Sequence, residues 1–174
     1  MNIYLSDKSC DLLKDENALR QKVAKFLAEP EQTQNVMVMT NLLLSGHKQD
    51  KVLVYDFMQF PFNWVSGVFT QLSFVYRRLW IAWFISIAFG MITAMASVTI
   101  FLSIILVAGS IFVFGKLHYY FLIKKFLHNL DLGLETDNLC APNIIGVVVL
   151  IVVELIMSFL VFGTIISILT AIFR

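Results

Sequence analysis

From Leu79 to Gly115 the chain reads LWIAWFISIAFGMITAMASVTIFLSIILVAGSIFVFG, without one charged side chain. A soluble domain of this size cannot hide so long an apolar run from water, whereas about 20 such residues span the hydrocarbon core of a bilayer. One straight helix over the run would be about 55 Å long, against a core of about 30 Å. Tilt does not absorb that difference, and backbone in lipid must satisfy its own hydrogen bonds. The run therefore predicts a helical hairpin over 79–115, turning at 95–99 where small and polar residues cluster. Ala82, Ser86, Gly90 and Ala94 recur at every fourth position and fall on one helix stripe. Another helix, of this chain or of a partner, approaches closely along such a stripe.

A second apolar run, NIIGVVVLIVVELIMSFLVFGTIISILTAIFR over 143–174, is interrupted only by Glu154 before its terminal arginine. It predicts a second hairpin turning near Phe159 to Thr164, with limbs of roughly 22 to 24 Å that are thin for a standard core. Gly163, Ser167 and Ala171 repeat the small-residue spacing. Glu154 is the one ionisable side chain inside either run. In lipid such a group serves as a proton or cation site or a buried contact, unless it sits near the far surface and is hydrated.

Charge sets the orientation. Arg77, Arg78, Lys116, Lys124, Lys125 and Arg174 flank the runs, and no basic residue falls at either expected turn, so the positive-inside rule puts both termini and the middle loop in the cytosol. The first thirty residues carry charges of both signs and lack an apolar core, so no cleavable signal peptide is expected. The fold class predicted is an all-α integral membrane protein with two transmembrane helical hairpins, four limbs in all, and a small cytosolic N-terminal α(+β) segment. A bacterial cytoplasmic membrane is the expected setting.

Before the first run, Ser9 to Glu29 has apolar residues at helical spacing (Leu12, Leu13, Leu19, Val23, Phe26, Leu27), with Ser9 as N-cap and Pro30 beyond its end. Asn35–Leu44 and Lys51–Phe57, separated by a short polar break, suggest a β-hairpin, although Leu42, Leu43 and Leu44 do not alternate and a pair of short helices fits them too. These complete a cytosolic segment over 1–56. Residues 57–78 are rich in aromatic side chains and interrupted by Gln59, Pro61, Asn63, Gly67 and Gln71. They predict an interfacial helix, with Trp64, and Trp80 after it, at headgroup level, a third hairpin-like crossing being the alternative. Between the runs, 116–142 forms a basic cytosolic loop whose first part continues the second limb as a helix out of the bilayer. His118 and His128, ten positions apart, lack the spacing to share a metal and are expected as interfacial side chains.

The 174 residues are 59% hydrophobic and 14% charged with a net charge of +1. That composition belongs to a membrane protein, and the near-neutral balance gives no reason to expect a nucleic-acid partner. Cys10 and Cys140 have no metal-ligand or redox spacing and are expected as two unpaired thiols. No nucleophile elbow, phosphate loop, zincin motif or paired carboxylates occur. No catalytic, cofactor or metal residues and no small-molecule substrate are therefore expected.

Three functions remain. The first is a non-enzymatic membrane interaction protein that binds and blocks or modulates another membrane component, of the immunity or entry-exclusion type or as an accessory subunit. The expected partners are then the lipid bilayer and either another membrane protein or a second copy. The second is a membrane-shaping hairpin protein of the kind found in tubular endoplasmic reticulum. The third is a small oligomeric channel or transporter using Glu154.

Overall fold

A computed structural model describes the backbone of residues 1–49, 51–96 and 100–172; within these, the side chains of 47–49, 96, 100, 160–162 and 164–172 lie outside the description. The chain divides into two compact units, Met1–Pro142 and Asn143–Arg174.

The first unit begins with strand β1 (Asn2–Tyr4), which nothing in the sequence announced. Helix α1 (Asp7–Leu12) is capped by Ser6, whose hydroxyl accepts from the Ser9 amide. The long helix expected over Ser9 to Glu29 is in fact two, because the Asp15 carboxylate accepts from the Asn17 and Ala18 amides and starts α2 (Glu16–Leu27) afresh. Ser9 is no cap; it is buried, and its hydroxyl donates to Asp131. Left-handed Ala28 ends α2, with Glu29 N–H on the Ala24 carbonyl and Ala28 N–H on that of Lys25, and Pro30 follows.

The segment expected as the first strand of a hairpin is helix α3 (Gln34–Ser45). Val36, Met39, Thr40, Leu42 and Leu43 are its buried side chains, at spacings of three, one, two and one. That helical period outweighs the valine content that suggested a strand. The hairpin forms further on, from β2 (His47–Gln49) and β3 (Val52–Val54). The sheet is antiparallel in the order β1-β3-β2, with Leu53 opposite both Ile3 and Lys48.

A 3-10 turn at Phe57–Gln59 leads to α4 (Trp64–Val68), α5 (Thr70–Tyr76), α6 (Trp80–Ala96) and α7 (Ile100–Asp131). The first expected turn falls between α6 and α7, and its residues 97–99 lie outside the described ones. As expected, α7 continues well beyond the apolar run. It is two-natured. Phe101, Ile104, Ile105 and Val107 are exposed, whereas Phe114, Tyr119, Leu122, Ile123, Phe126 and Leu127 are buried in the core of the unit. There Phe26 of α2 meets Phe126 edge-on at 5.2 Å. At the far end Asp131 accepts from both the amide and the hydroxyl of Ser6, the latter at 2.5 Å. The helix is thus the spine of the unit, with the N-terminal elements packed on its C-terminal half. Among the described residues, Phe101–Asp131 is the one helix long and apolar enough to cross a membrane.

The second unit is a single helix, α8 (Ile144–Ile172), started by the Asn143 side chain, which accepts from the Gly146 amide. The turn expected near Phe159 to Thr164 is absent, which corrects the second hairpin to one rod. Gly163 by itself is a weak breaker, and the flanking isoleucine, valine and leucine residues satisfy their backbone best by continuing the helix. Its 29 residues make it about 43 Å long.

Candidate functional site

The features that set this chain apart lie where the spine changes character, around Ile111 to Tyr119. The segment 57–78 is not one interfacial helix. The Asp56 side chain caps the 3-10 turn by accepting from Met58, while Gln59 reaches back to the Asp56 amide. Pro61 has no N–H to continue it. Asn63 then starts α4 by accepting from the Ser66 amide at 3.0 Å. The aromatic residues divide by side. Phe60 and Phe74 are fully buried, and Phe62 stacks on Phe112 with 20° between the rings. Trp64, Val65, Val68 and Phe69 point outward, Trp64 with 72% of its surface exposed.

Two glycines bring α4 against α7. A Cβ on Gly67 would stand 2.8 Å from the Ile111 carbonyl oxygen, and one on Gly115 would run into the Phe62 ring. The Asn63 amide donates to the Gly115 carbonyl at 3.0 Å. One residue later the Lys116 ammonium donates to the carbonyls of Phe60 (2.7 Å) and Met58 (3.3 Å). The loop and α4 are therefore fastened at one level of the spine.

Beside them lies a polar cluster on a cleft of about 530 Å³ whose lining includes Glu29, Asn35, Ser66, Arg77, His118 and Tyr119. Arg77, expected as an interfacial anchor, is buried instead. Its guanidinium pairs with Glu29 and donates to the carbonyls of Leu27 (3.3 Å) and Cys140 (3.4 Å). Glu29 also accepts from Thr33 and Asn35, and Asn35 accepts from the Tyr119 hydroxyl. Burial works against the Glu29 carboxylate. The hydrogen bonds and charge of Arg77, with Thr33 and Asn35, outweigh it and hold the pKa below the ordinary 4.5.

His118, expected at the interface, is buried too. Its ring lies parallel to that of Phe74, and its Nδ1 shares a hydrogen bond with the Ser66 hydroxyl at 2.8 Å. Ser66 and Ser73 share another at 2.6 Å. The serine–histidine contact has the length of a nucleophile–base pair. Ser66 is buried, and with Ser73 the contact ties α4, α5 and α7 together.

The remaining basic residues divide likewise. Lys125 donates to the carbonyls of Arg78 (2.9 Å) and Leu139 (3.3 Å), clasping the turn after α5 to the loop after α7. Arg78 itself, left-handed at φ 55°, and Lys124, near the Tyr120 ring, are exposed. Trp80 is half-exposed and edge-on to Trp83. Cys140 is buried, which pushes its thiol up to about 11 against the pull of Lys125. Cys10 is half-buried and also free.

The small-residue stripe of α6 is half used. Ala82 and Ser86 are buried, while Gly90 and Ala94 are exposed and a Cβ on Gly90 would meet nothing within 4 Å. In α8 Gly163 is likewise open; the side chains of Ser167 and Ala171 lie outside the described residues. Glu154 is exposed, and its carbonyl accepts from the Ser158 hydroxyl at 2.8 Å. Among the described residues no three His, Cys, Asp or Glu side chains gather as a metal site. No protein-family model, curated protein or solved structure matches the chain.

Proposed function

We propose that this chain is a non-enzymatic membrane interaction protein, whose folded head rides on a membrane hairpin and whose apolar helices bind and block or modulate another membrane component. The observation that carries the reading is the divided stripe on α6. The first unit by itself uses Ala82 and Ser86 for packing and leaves Gly90 and Ala94 open. In lipid, close packing along small residues is a main source of helix association, because apolar surface alone gives no preference for protein over lipid. The head supports the reading from the other side, since Arg77, Glu29, His118 and Ser66 are bonded within the chain.

In this reading residues 79–115 enter the cytoplasmic membrane of a bacterium, with 1–78 and 116–142 on the cytosolic side. The α8 rod supplies a further membrane segment, and a single crossing by it puts the C-terminus opposite the N-terminus rather than beside it. An immunity, entry-exclusion or accessory-subunit role fits this arrangement. The test is co-purification from the native host in mild detergent. A partner membrane protein retained by the wild-type chain and lost from Gly90→Leu supports the reading; recovery of the chain with nothing but itself counts against it.

One observation favours a second reading, a membrane-shaping wedge. From Ile100 to Gly115, α7 offers about 24 Å of charge-free helix before Lys116, short of a core of about 30 Å. A hairpin of that reach displaces one leaflet more than the other. Liposomes that keep their size and shape on taking up the purified protein would exclude it.

A further inference from the structure

We infer that the outer face of α4, formed by Trp64, Val65, Val68 and Phe69, docks in the headgroup region of a phospholipid bilayer and sets the depth of the α6–α7 hairpin. Three observations point to lipid as the occupant. Trp64, Val65 and Val68 stand at positions i, i+1 and i+4 on one face of α4, Phe69 caps its end beside them, and all four are more than half exposed. Ser66 and Gly67, on the opposite side, are buried against the spine. So α4 is amphipathic in the sense that matters here: one side is committed to the protein and the other is apolar and bare.

Level is the second observation. Through Gly67 and Gly115, α4 is fastened to α7 at Ile111 to Gly115. That is the zone in which the exposed apolar half of the spine ends, one residue before Lys116. The α4 face is therefore continuous with the surface that α6 and α7 offer to lipid, and lies at its lower rim. Helices of this kind bury their apolar side about 5–10 Å into the boundary between headgroups and acyl chains. Tryptophan is among the residues that boundary favours.

The third is charge. Among the described residues α4 carries none, and Arg78, in the turn before α6, is an exposed basic side chain available to headgroup phosphates. Lys116 is drawn away from lipid by the two carbonyls it binds.

The depth follows from the same geometry. Between Ile111, opposite Gly67, and Ile100, α7 rises about 17 Å. With α4 held at one interface and α7 along the bilayer normal, Ile100 lies just past the midplane of a core of about 30 Å. The hairpin enters and returns through one face. This holds whichever partner the open stripe on α6 binds.

Depth-dependent quenching of tryptophan tests it. In the W80F/W83F double variant Trp64 is the sole tryptophan. The full chain is reconstituted into phosphatidylcholine vesicles carrying lipids brominated either near the carbonyl or near the chain end. Shallow bromines are expected to quench about twofold more than deep ones, as befits the boundary region, with little quenching by aqueous iodide. Iodide quenching without bromolipid quenching would overturn the inference, leaving the face to water or a protein partner. Stronger quenching by deep bromines would overturn it too, making α4 part of a span. Should the double variant lose its fold, a nitroxide at Val68→Cys with all tryptophans intact reports on the same face. It must be more accessible to lipid-soluble oxygen than to a water-soluble nickel chelate, and the reverse order refutes docking.

Discussion

Arg77 and Glu29, forty-eight positions apart, form a buried ion pair that joins the turn before α6 to the end of α2. Through the carbonyls of Leu27 and Cys140 the same guanidinium also holds the loop that follows α7. One side chain thus closes the head around the base of the hairpin.

Removing that side chain leaves a part-buried carboxylate on the wall of the cleft without its partner. Arg77→Ala is expected to destabilise the head by about 1–3 kcal/mol, less than the cost of breaking a fully buried pair from one side. Glu29→Gln, which keeps an acceptor for Thr33 and Asn35, is expected to cost less. Thermal melts in detergent, followed by circular dichroism, compare the two.

Acid should undo the pair in a predictable range. The Glu29 pKa is lowered in the folded chain, so its stabilisation is complete above the unfolded value near 4.5 and is lost as pH falls through the lower folded value. The gap in Tm between wild type and Glu29→Gln is expected to be constant between about pH 5 and 7 and to close at more acidic pH. A gap that stays open in acid would assign the stabilisation to another group.

Glycines mark a packed position on α4 and an open one on α6. Gly67→Ala places a methyl 2.8 Å from a backbone oxygen that cannot swing aside, and is expected to cost about 1–3 kcal/mol. Gly90→Ala meets nothing within 4 Å and is expected to leave the melting temperature unchanged or slightly raised. Paired melts of the two variants decide this.

Much of the fold is legible in the charge-free run, which announces α6, α7 and the extension of α7 beyond the apolar stretch. Where structure and sequence part, tertiary packing overrules a local rule. Counting Arg77 and Lys116 as topological anchors assumes that a basic residue beside an apolar run faces headgroups. Both instead bind carbonyls of their own chain, and only Glu29, far away in sequence, could reveal the first. In α3, valines suggest a strand while the spacing of Val36, Met39, Thr40 and Leu43 already fits a helix. His118 gives no signal of burial, because its partners Ser66 and Phe74 come from a segment whose aromatic load points to the membrane surface. The second hairpin rests on the length of the run and on counting Arg174 as a cytosolic anchor, and neither turns a chain that lacks a breaker.

If the open half of the α6 stripe serves a partner, bulk there should harm association and not folding. Gly90→Leu is expected to melt with the wild type in detergent and to lose the co-purifying protein. Retention of the partner at wild-type yield would place the contact elsewhere.

How far the hairpin reaches into the bilayer is the central question, and one labelling experiment answers it most directly. Met95, near the end of α6 and 85% exposed, is replaced by cysteine in a chain with Cys10→Ser and Cys140→Ser, and intact cells are treated with a membrane-impermeant maleimide. A head fastened at Ile111 to Gly115 leaves Met95 within the core. No labelling is therefore expected from outside, and none from the cytosolic side after permeabilisation, with labelling restored when the protein is unfolded. Ready labelling from outside would show that α6 and α7 cross the membrane completely, and would contradict a hairpin that enters and returns through one face.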